Sequence, residues 1–411
     1  MGLDVLVSRF EEESFLRALF LPPLQSFMLS LFRQGNEKVV VGKEGWLFFR
    51  PGIDYITGQP FLDEQYQQMR YEGHDLWELP VQPDPVMAIV DFHRQLKERG
   101  VDLIVMPVPV KPSIHASKLT SLDFSYSPKN RSWNTFISQL IQNNINVFDS
   151  RERLEAYVKK HGEAYLKTDT HWLPDAMQDV AIGLAAHVRE GYPAVARTTE
   201  YVLQDHSVEG EGDVNTMLTL PIGSLRHKQI VDIQQVLNVD NELWQPEFDA
   251  EILLLGDSFT NIYSRSALGW GRSAGLAEQL SYHLQAPLDL IGKNDSGAYV
   301  TREILSQELA RGRDRLIGKK LVIWQFAERE LSLGDWKLID LTLGTAKENG
   351  FLAVDTGENI HVEAMVKSIS RSPRPGSVPY RDNLLTIHLV DLIGEGVSLE
   401  TDQALVYGLR M

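Results

Sequence analysis

The sequence predicts an α/β fold in which helices cover both faces of a parallel sheet, followed by a small β region. The first indication is an alternation of strand-like and helix-like segments between residues 84 and 327, because this alternation produces right-handed crossovers between parallel strands. The second is that several strand-like runs are continuously apolar, as expected of strands buried on both faces. The third is a change near residue 345, after which short β-type runs alternate with turn residues.

In the first half of the chain, caps, periodicity and breakers mark the expected elements. Residues 84–100 begin with the cap Asp84, carry apolar residues three and four apart and end at Gly100, which predicts a helix. Residues 101–110 are apolar except for Asp102 and predict a buried strand. The remaining elements expected here are a helix near 130–143, a strand at 145–149 and helices at 150–162 and 174–191.

In the second half, the alternation resumes after a stretch at 200–250 whose mixed pattern predicts no clear element. Strands are expected at 251–256, 287–292 and 319–326, and helices at 271–284 and 301–312. Functional sites of parallel α/β proteins form at the carboxyl ends of such strands. Residues that follow the strands are therefore the first to inspect for chemistry.

Three regions are expected along the chain: an N-terminal helical segment at 1–40, a main α/β domain at 41–340 and a small β domain or extension at 345–411. The N-terminal segment has no basic-then-apolar signal peptide, and charges and a proline pair interrupt its apolar residues. No run therefore reaches the ~20 residues of a membrane span. We expect an amphipathic helix packed on the body; a membrane-surface helix and an anchor lost upstream are the alternatives.

Composition excludes several functions. The 411 residues provide for one large or two moderate domains. The net charge of −16 argues against nucleic acid as a partner, because binding its phosphates needs a basic surface. The chain has no cysteine, so disulfides, thiolate metal sites and a cysteine nucleophile are excluded.

Ser258 is the candidate nucleophile. It follows the apolar run Ile252–Leu255 in the motif Gly-Asp-Ser and precedes an expected helix. Free N–H groups and the positive dipole end at a helix start favour a developing oxyanion. The alternative is that Ser258 only caps the helix.

Asp169 and His171 supply a candidate base. They are two residues apart on a strand-to-helix connection that ends at Pro174, and in extended backbone such residues share a side. A histidine takes the proton of a serine hydroxyl, and a carboxylate fixes its tautomer. The alternatives are a purely structural pair and a metal site, for which the sequence offers no third or fourth ligand at recognisable spacing.

The motif Asp-Thr-His-Trp at 169–172, upstream of Gly-Asp-Ser-Phe at 256–259, resembles the SGNH-hydrolase-like proteins of the alginate O-acetyltransferase group (AlgJ/AlgX-like). The segments VGKEGWLFF, PVPVKPSIH, EGDVNTML and VIWQFAERE are also similar to that group, so the resemblance covers roughly residues 35–335. It implies a three-layer, flavodoxin-like α/β/α fold. It also implies a serine acyl-enzyme that passes acetyl to a polysaccharide hydroxyl, in the periplasm or elsewhere outside the cytoplasm.

The resemblance assigns roles to individual residues. Ser258 is the nucleophile, His171 the base and Asp169 the group that orients it. The expected oxyanion donors are the Ser258 N–H, a glycine after the next strand and an amide side chain after the strand beyond. Gly297 or Gly292 is the glycine candidate, and Gln325 stands where the usual Gly-x-Asn-Asp is absent. Asn294 is a competing donor, although a turn residue in GKNDSG is more often only that.

Five residues are candidates for binding substrate: Lys111, Tyr263, Arg265, Trp270 and Arg329. Lys111 follows a strand at the same sheet edge, where it is either a ligand for an anionic substrate or a solvated lysine. Tyr263, Arg265 and Trp270 follow the nucleophile and offer a sugar groove, with core packing as the alternative for Trp270. Arg329 brings charge near the last strand. Gly212 and Asp213 match a mid-chain Gly-Asp element of the group, but the sequence assigns them no chemistry.

Three functions remain open. The first is an O-acetyltransferase acting on an extracellular polysaccharide, with its acetyl donor supplied by a membrane acyltransferase partner. The second is an esterase or deacetylase that uses the same residues with water as acceptor. The third is a polysaccharide-binding or assembly protein without turnover, which an intact Ser258, His171 and Asp169 disfavours. The resemblance favours the transferase, working without a cofactor or metal. If Met1 is the native start, residence in the cytoplasm is the simpler expectation, but we favour a removed membrane anchor, because the similarity begins near the very start of the chain.

Overall fold

The structure, a computed structural model, describes residues 35–73, 80–122, 126–192, 199–218, 228–294, 297–345, 350–352, 354, 360–370, 383–394 and 401–410. Strands in these ranges are numbered along the chain. They are β1 (Val39–Val41), β2 (Leu47–Phe49), β3 (Asp102–Val108), β4 (Asn146–Val147), β5 (Tyr201–Gly210), β6 (Gln229–Asn238), β7 (Ile252–Gly256), β8 (Asp289–Gly292), β9 (Leu321–Ala327), β10 (Val362–Ile369), β11 (Asn383–Gly394) and β12 (Gln403–Arg410).

The helices of the same ranges connect and cover these strands. They are α1 (Arg50–Thr57), α2 (Glu64–Glu72), α3 (Pro85–Glu98), α4 (Lys111–Ile114), α5 (Ala116–Leu119), α6 (Trp133–Gln142), α7 (Arg151–His161), α8 (Pro174–Gly191), α9 (Asp213–Met217), α10 (Ser258–Asn261), α11 (Leu276–Leu284), α12 (Val300–Ala310) and α13 (Glu330–Leu333). Short 3-10 turns occur at Lys43–Gly45 and Ser266–Leu268.

Five parallel strands form the central sheet in the spatial order β4-β3-β9-β7-β8. Strand β9 lies in the middle and pairs with β3 over seven residues, from Asp102 opposite Leu321 to Val108 opposite Ala327. On its other side β9 pairs with β7, and β8 forms the edge beyond. The predicted parallel sheet is confirmed.

Alternate residues of the central strands face two separate hydrophobic cores. In β3, Ile104 and Met106 belong to one core, whereas Leu103 and Val105 belong to the other. Strands β7 and β9 divide their side chains in the same way. Because these side chains are all buried, the sheet is covered on both faces, as its continuous apolar runs predict. The three-layer α/β/α arrangement is therefore confirmed.

The strand order is a permuted version of the flavodoxin-like order. Counted along the chain, the five strands lie in the order 2-1-5-3-4. Counted instead from β7, the strand that precedes Ser258, the order is 2-1-3-4-5, which is the flavodoxin-like arrangement. The connection that carries Asp169 and His171 then follows the fifth strand in this count, although it precedes the serine in the sequence.

Residues 200–250, which the sequence left unassigned, contain a long antiparallel hairpin. Strands β5 and β6 pair from Tyr201 opposite Asn238 to Gly210 opposite Gln229. Most of β5 is exposed, so its side chains do not alternate between apolar and polar in the manner of a half-buried strand. The helix predicted at 271–284 begins only at Leu276, because Gly271 and Ser273 have positive φ angles of 98° and 54° that a helix excludes.

The described residues divide into two compact units. One contains the sheet and continues to Leu309, then from Asp314 to Thr342; the other contains Ala310–Arg313 and the chain from Leu343. In the second unit, β10, β11 and β12 form an antiparallel three-stranded sheet in that order. The predicted C-terminal β region is thereby confirmed as strands, and its boundary at residue 345 stays a prediction.

Most of the N-terminal helical segment predicted at 1–40 lies outside the described residues, which begin at Gly35. Within the ranges given above, no helix is both long enough and apolar enough to cross a membrane.

Candidate active site

Ser258 lies where β7 ends and the four-residue helix α10 begins. At Gly256 a Cβ atom would lie 2.2 Å from Thr260 Oγ1, so a side chain does not fit there without a shift. Asp257 is the N-cap, and its Oδ1 accepts the Phe259 N–H at 2.8 Å. Because Ser258 occupies the first helical position, its N–H has no acceptor within the helix.

Asp257 also fastens this turn to the end of β9. Its Oδ1 accepts from Gln325 Nε2 at 2.9 Å and its Oδ2 from the Ala327 N–H at 2.8 Å. In return, Gln325 Oε1 accepts the Asp257 N–H at 3.1 Å and the Thr260 hydroxyl at 2.7 Å. The serine is thus fixed between β7 and β9, the point at which the strand order counted from β7 reverses. Ligands bind at such points in parallel α/β sheets.

Asp169 and His171 lie in a tight loop between α7 and α8. The His171 carbonyl accepts the Leu166 N–H at 3.0 Å, and Tyr165 and Trp172 form an antiparallel bridge across the loop. Residues 167–171 form bends, so the extended backbone expected for the pair is wrong, and the turn of the loop brings the two side chains together instead. Both side chains are buried.

The structure brings the three predicted catalytic side chains together in one hydrogen-bonded chain. His171 Nε2 lies 2.8 Å from Ser258 Oγ, and His171 Nδ1 lies 2.6 Å from Asp169 Oδ1. Ser258 and His171 are 6% and 4% exposed, so the chain lies in a largely water-excluded environment. This is the geometry in which a histidine removes the serine proton while a carboxylate holds its tautomer.

The Asp169 carboxylate accepts four hydrogen bonds. Besides the imidazole, Oδ1 accepts the His171 N–H at 3.0 Å, while Oδ2 accepts the Asp213 N–H at 2.9 Å and the Trp270 indole N–H at 2.8 Å. Burial alone would raise the pKa of Asp169, but His171 and these N–H donors lower it well below its ordinary value. Asp169 is therefore ionised and fixed in orientation.

His171 has an environment that favours its protonated form. Burial opposes the charge, but the Asp169 carboxylate, its hydrogen bond and the Asp213 carboxylate together raise the pKa of His171 above its ordinary value. The Arg329 guanidinium acts in the opposite direction. The Phe259 ring lies 4.7 Å from the imidazole ring, centroid to centroid, and restricts its movement.

The predicted oxyanion donors beyond Ser258 have the following contacts, and their role stays a prediction. One of the two Gln325 amide N–H groups donates to Asp257, and its carbonyl oxygen accepts from Asp257 and Thr260, as described above. Asn294 Oδ1 instead accepts from Asn261 Nδ2 at 2.8 Å, and Asn261 fills the space beside Gly292. Gly297 adopts a φ of 75° next to Glu330.

Lys111 is not a surface ligand for substrate. It is 2% exposed, and its Nζ donates to the carbonyl oxygens of Leu47 at 2.6 Å, Lys167 at 2.9 Å and Asp169 at 3.0 Å. The ammonium also lies 4.9 Å from the centroid of the Trp46 ring. Burial lowers the pKa of Lys111 to about 7. All three donors are engaged, so the side chain ties the Asp169 loop to β2 instead of reaching the substrate.

Tyr263 and Trp270 are corrected in the same way, because a groove-lining role requires exposed rings. Tyr263 is fully buried, and its hydroxyl donates to the Trp172 carbonyl at 2.6 Å. Trp270 is 1% exposed and donates to Asp169. Both aromatic side chains therefore support the loop that carries the base.

The two predicted arginines lie nearer the surface. Arg265 is exposed and donates to the Gly292 carbonyl at 3.2 Å. The Arg329 guanidinium lies 5.5 Å from the Phe49 ring centroid and 6.0 Å from that of Phe259, with 14% of its side chain exposed. Their predicted role in binding substrate is compatible with these positions and stays a prediction.

Asp213 is a functional candidate to which the sequence assigned no chemical role. Its Oδ2 lies 3.9 Å from His171 Nδ1, so a second carboxylate joins Asp169 beside the imidazole. Ligand atoms of the three residues lie within 4.8 Å of one another, a spacing that a metal ion also uses. Asp169, His171 and Asp213 Oδ1 however already hold hydrogen bonds, which fits a proton relay better than a cation site. The only sequence signal was a Gly-Asp pair in front of a short helix.

Comparison with known proteins gives a consistent result. A family model described as SGNH hydrolase-like domain, acetyltransferase AlgX, matches residues 39–328. A curated protein, the probable alginate O-acetylase AlgJ of Pseudomonas aeruginosa, is 27% identical over 161 residues, which make up 39% of this chain and 36% of that protein. The chain thus spans little more than a third of the length of that relative.

Two solved structures share the fold. The O-acetyltransferase domain of Pseudomonas putida AlgJ aligns with a TM-score of 0.53 at 19% identity, covering 72% of this chain and 92% of that one. Pseudomonas aeruginosa AlgX aligns with a TM-score of 0.50 at 16% identity, covering 72% of this chain and 67% of that one. At such identities the likeness establishes the arrangement of strands and helices alone.

Proposed function

This chain belongs to the family of SGNH hydrolase-like domains of the acetyltransferase AlgX, and on that premise we propose that it is a serine-dependent O-acetyltransferase acting on hydroxyls of an extracellular polysaccharide. The observation that carries the proposal is the hydrogen-bonded chain from Ser258 Oγ through His171 to Asp169, at 2.8 and 2.6 Å. A helix cap needs no imidazole on its hydroxyl and no carboxylate behind that imidazole.

In the first half-reaction, Ser258 Oγ attacks the carbonyl carbon of an acetyl ester or thioester, and His171 Nε2 takes the hydroxyl proton. The tetrahedral intermediate then collapses. The bond to the donor's leaving group breaks, His171 returns the proton to that group, and acetyl-Ser258 remains. Asp169 holds Nδ1 and stabilises the imidazolium that forms in both steps.

In the second half-reaction, a sugar hydroxyl attacks acetyl-Ser258. His171 removes the proton of the sugar hydroxyl, the new ester forms, and the proton passes to Ser258 Oγ as it departs. The Ser258 N–H, free at the start of α10, is the proposed oxyanion donor of both half-reactions, with Gly297 as the second candidate.

Transfer instead of hydrolysis requires that water be kept from the acyl-enzyme. The burial of Ser258 and His171, which are 6% and 4% exposed, supports transfer. Arg329 and Arg265 are the proposed contacts for an anionic acceptor. Alginate is the first acceptor to test, because the curated relatives bear the name alginate O-acetylase. Periplasmic placement, and delivery of acetyl groups by a membrane acyltransferase, belong to the same proposal.

The test uses p-nitrophenyl acetate as donor and alginate as acceptor, with acetyl on the glycan measured by mass spectrometry. We expect wild-type protein to release p-nitrophenol, to carry one acetyl group on Ser258 and to transfer it to the glycan. Ser258→Ala should abolish all three, whereas Ser266→Ala, at an exposed serine eight residues on, should behave as wild type.

Equal release by Ser258→Ala and wild type would refute the nucleophile and favour the helix-cap interpretation. If p-nitrophenol release depends on Ser258 but none of the glycans tried receives acetyl, water is the acceptor and the protein is an esterase instead.

A further inference from the structure

A second acidic side chain, Asp213 at the first position of α9, contacts the loop that carries the catalytic base. Its Oδ1 accepts the Thr170 N–H at 2.7 Å, and Oδ2 lies 3.9 Å from His171 Nδ1. The Asp213 N–H meanwhile donates to Asp169 Oδ2 at 2.9 Å. Asp213 therefore holds the loop at two points and directs a carboxylate at the imidazole without bonding to it.

The backbone leaves little freedom in this arrangement. Gly212, which precedes Asp213, has a φ of 83°, and a Cβ atom there would lie 2.4 Å from the Thr168 carbonyl oxygen. The two segments are in contact at the residues just before Asp169 and Asp213. Asp213 consequently keeps its position relative to His171.

Three charged groups act on the imidazole. Asp169 and Asp213 favour its positive charge, and Arg329, after β9, opposes it. Asp213 raises the pKa of His171, and Arg329 lowers it. Lys111 of α4 interacts with the two carboxylates instead. Asp169, followed by Asp213, partly offsets the lowering of the Lys111 pKa by burial. Burial, followed by the charge of Asp169, raises the pKa of Asp213 itself to about 6.

From this geometry we infer that Asp213 is a positioning residue that tunes the strength of His171 as a base, with Arg329 as its electrostatic counterweight. The inference rests on the proposed acetyl transfer. When His171 takes the serine proton, positive charge develops on the ring, and a carboxylate 3.9 Å from Nδ1 stabilises it. The same charge makes His171 harder to deprotonate before the reaction, so activity begins at a higher pH.

The matched pair of variants is Asp213→Asn and Asp213→Ala. Asparagine keeps the oxygen that accepts from Thr170 and removes only the charge, whereas alanine removes both. With Asp213→Asn we expect the acid limb of the kcat/KM profile for p-nitrophenyl acetate to move to lower pH by about one unit. We expect the plateau rate to fall roughly 3- to 10-fold, because a weaker base accepts the proton less readily. Arg329→Gln should move the limb in the opposite direction.

A second readout does not depend on turnover. Titration of the His171 imidazole by NMR, in protein labelled at histidine and assigned with His171→Gln, should show a lower pKa in Asp213→Asn and a higher one in Arg329→Gln. Superimposable profiles and titrations for wild type and Asp213→Asn would overturn the inference and leave Asp213 as a structural cap. If wild-type protein had no acetyl chemistry at all, the proposed function would fail, while the titration would still decide the electrostatic role of Asp213.

Discussion

At the scale of a single residue, Trp270 has a supporting role at the active site that its own sequence segment does not predict. Its indole N–H donates to Asp169, 101 residues away in the sequence. Hydrogen bonds to a buried charged group contribute about 1.5–3 kcal/mol. This donor and the Asp213 N–H keep Oδ2 occupied, so Oδ1 is left to face the imidazole.

Trp270→Phe retains a buried ring and removes only this donor. We expect kcat to fall roughly tenfold while KM changes little, because an incompletely bonded Asp169 orients His171 less well. Steady-state kinetics with p-nitrophenyl acetate would measure both. Trp324→Phe is the control, since its buried indole N–H has no acceptor among the described residues. Loss of stability in both variants with unchanged kcat in both would contradict the role given to Trp270.

The three catalytic candidates could be predicted from the sequence because their residue types and local motifs suffice. Lys111, Tyr263, Trp270 and Asp213 could not, because their partners come from elsewhere in the chain. Lys111, for example, meets carbonyl oxygens 56 to 64 residues away. A lysine after a strand looks the same in sequence whether it faces solvent or three carbonyl groups.

At the scale of elements, the turn before α9 is as important as the helix itself. Gly212 has a positive φ and no space for a side chain beside Thr168. Gly162, which ends α7, also has a positive φ, of 89°, but nothing lies within 4 Å of its Cβ position. The two glycines share the conformational requirement and differ in crowding and in distance from the site.

Alanine at each position separates these effects. Both substitutions should lower stability by about 1–3 kcal/mol through backbone strain. Only Gly212→Ala should also lower kcat, by at least roughly tenfold, because relieving the clash moves Asp213 and the Asp169 loop. Urea unfolding and kinetics on the same preparations would measure the two quantities. Equal kcat values in the two variants would show that the position of the turn does not matter for activity.

Elements with a strong periodic or continuous apolar pattern were predicted from sequence with small errors at their ends. Helix α3 spans 85–98 where 84–100 was expected, and β7 spans 252–256 where 251–256 was expected. The sequence did not predict the hairpin of β5 and β6, because most of β5 is exposed and its residues do not alternate between apolar and polar. Strand β4 is only two residues long, whereas the sequence predicted a strand over residues 145–149.

At the scale of the whole molecule, the two cores that sandwich the central sheet are complete before the C-terminal strands begin. Their buried members lie between Trp46 and Leu341. The triad, Asp213 and Trp270 all fall inside this span. Among the described residues of the unit that carries β10, β11 and β12, none belongs to these cores.

A chain that ends at Thr342 should therefore fold and keep its serine chemistry. We expect p-nitrophenyl acetate hydrolysis within about twofold of the full chain, because a compact unit with its own core folds alone. Circular dichroism and kinetics would check both points. Loss of folding would show that the sheet unit needs the C-terminal region, and selective loss of transfer to alginate would assign that region to the acceptor.

The position of β9 has a consequence for how the protein is made. The two halves of the central sheet, β4 with β3 and β7 with β8, are hydrogen-bonded to each other only through β9, which is the last of the five strands to leave the ribosome. Until residues 321–327 emerge, the nascent chain holds two sheet fragments with open edges. Synthesis alone thus delays assembly of the serine and its base until β9 emerges, because a chain that ends before residue 321 lacks the strand that joins the two halves of the sheet.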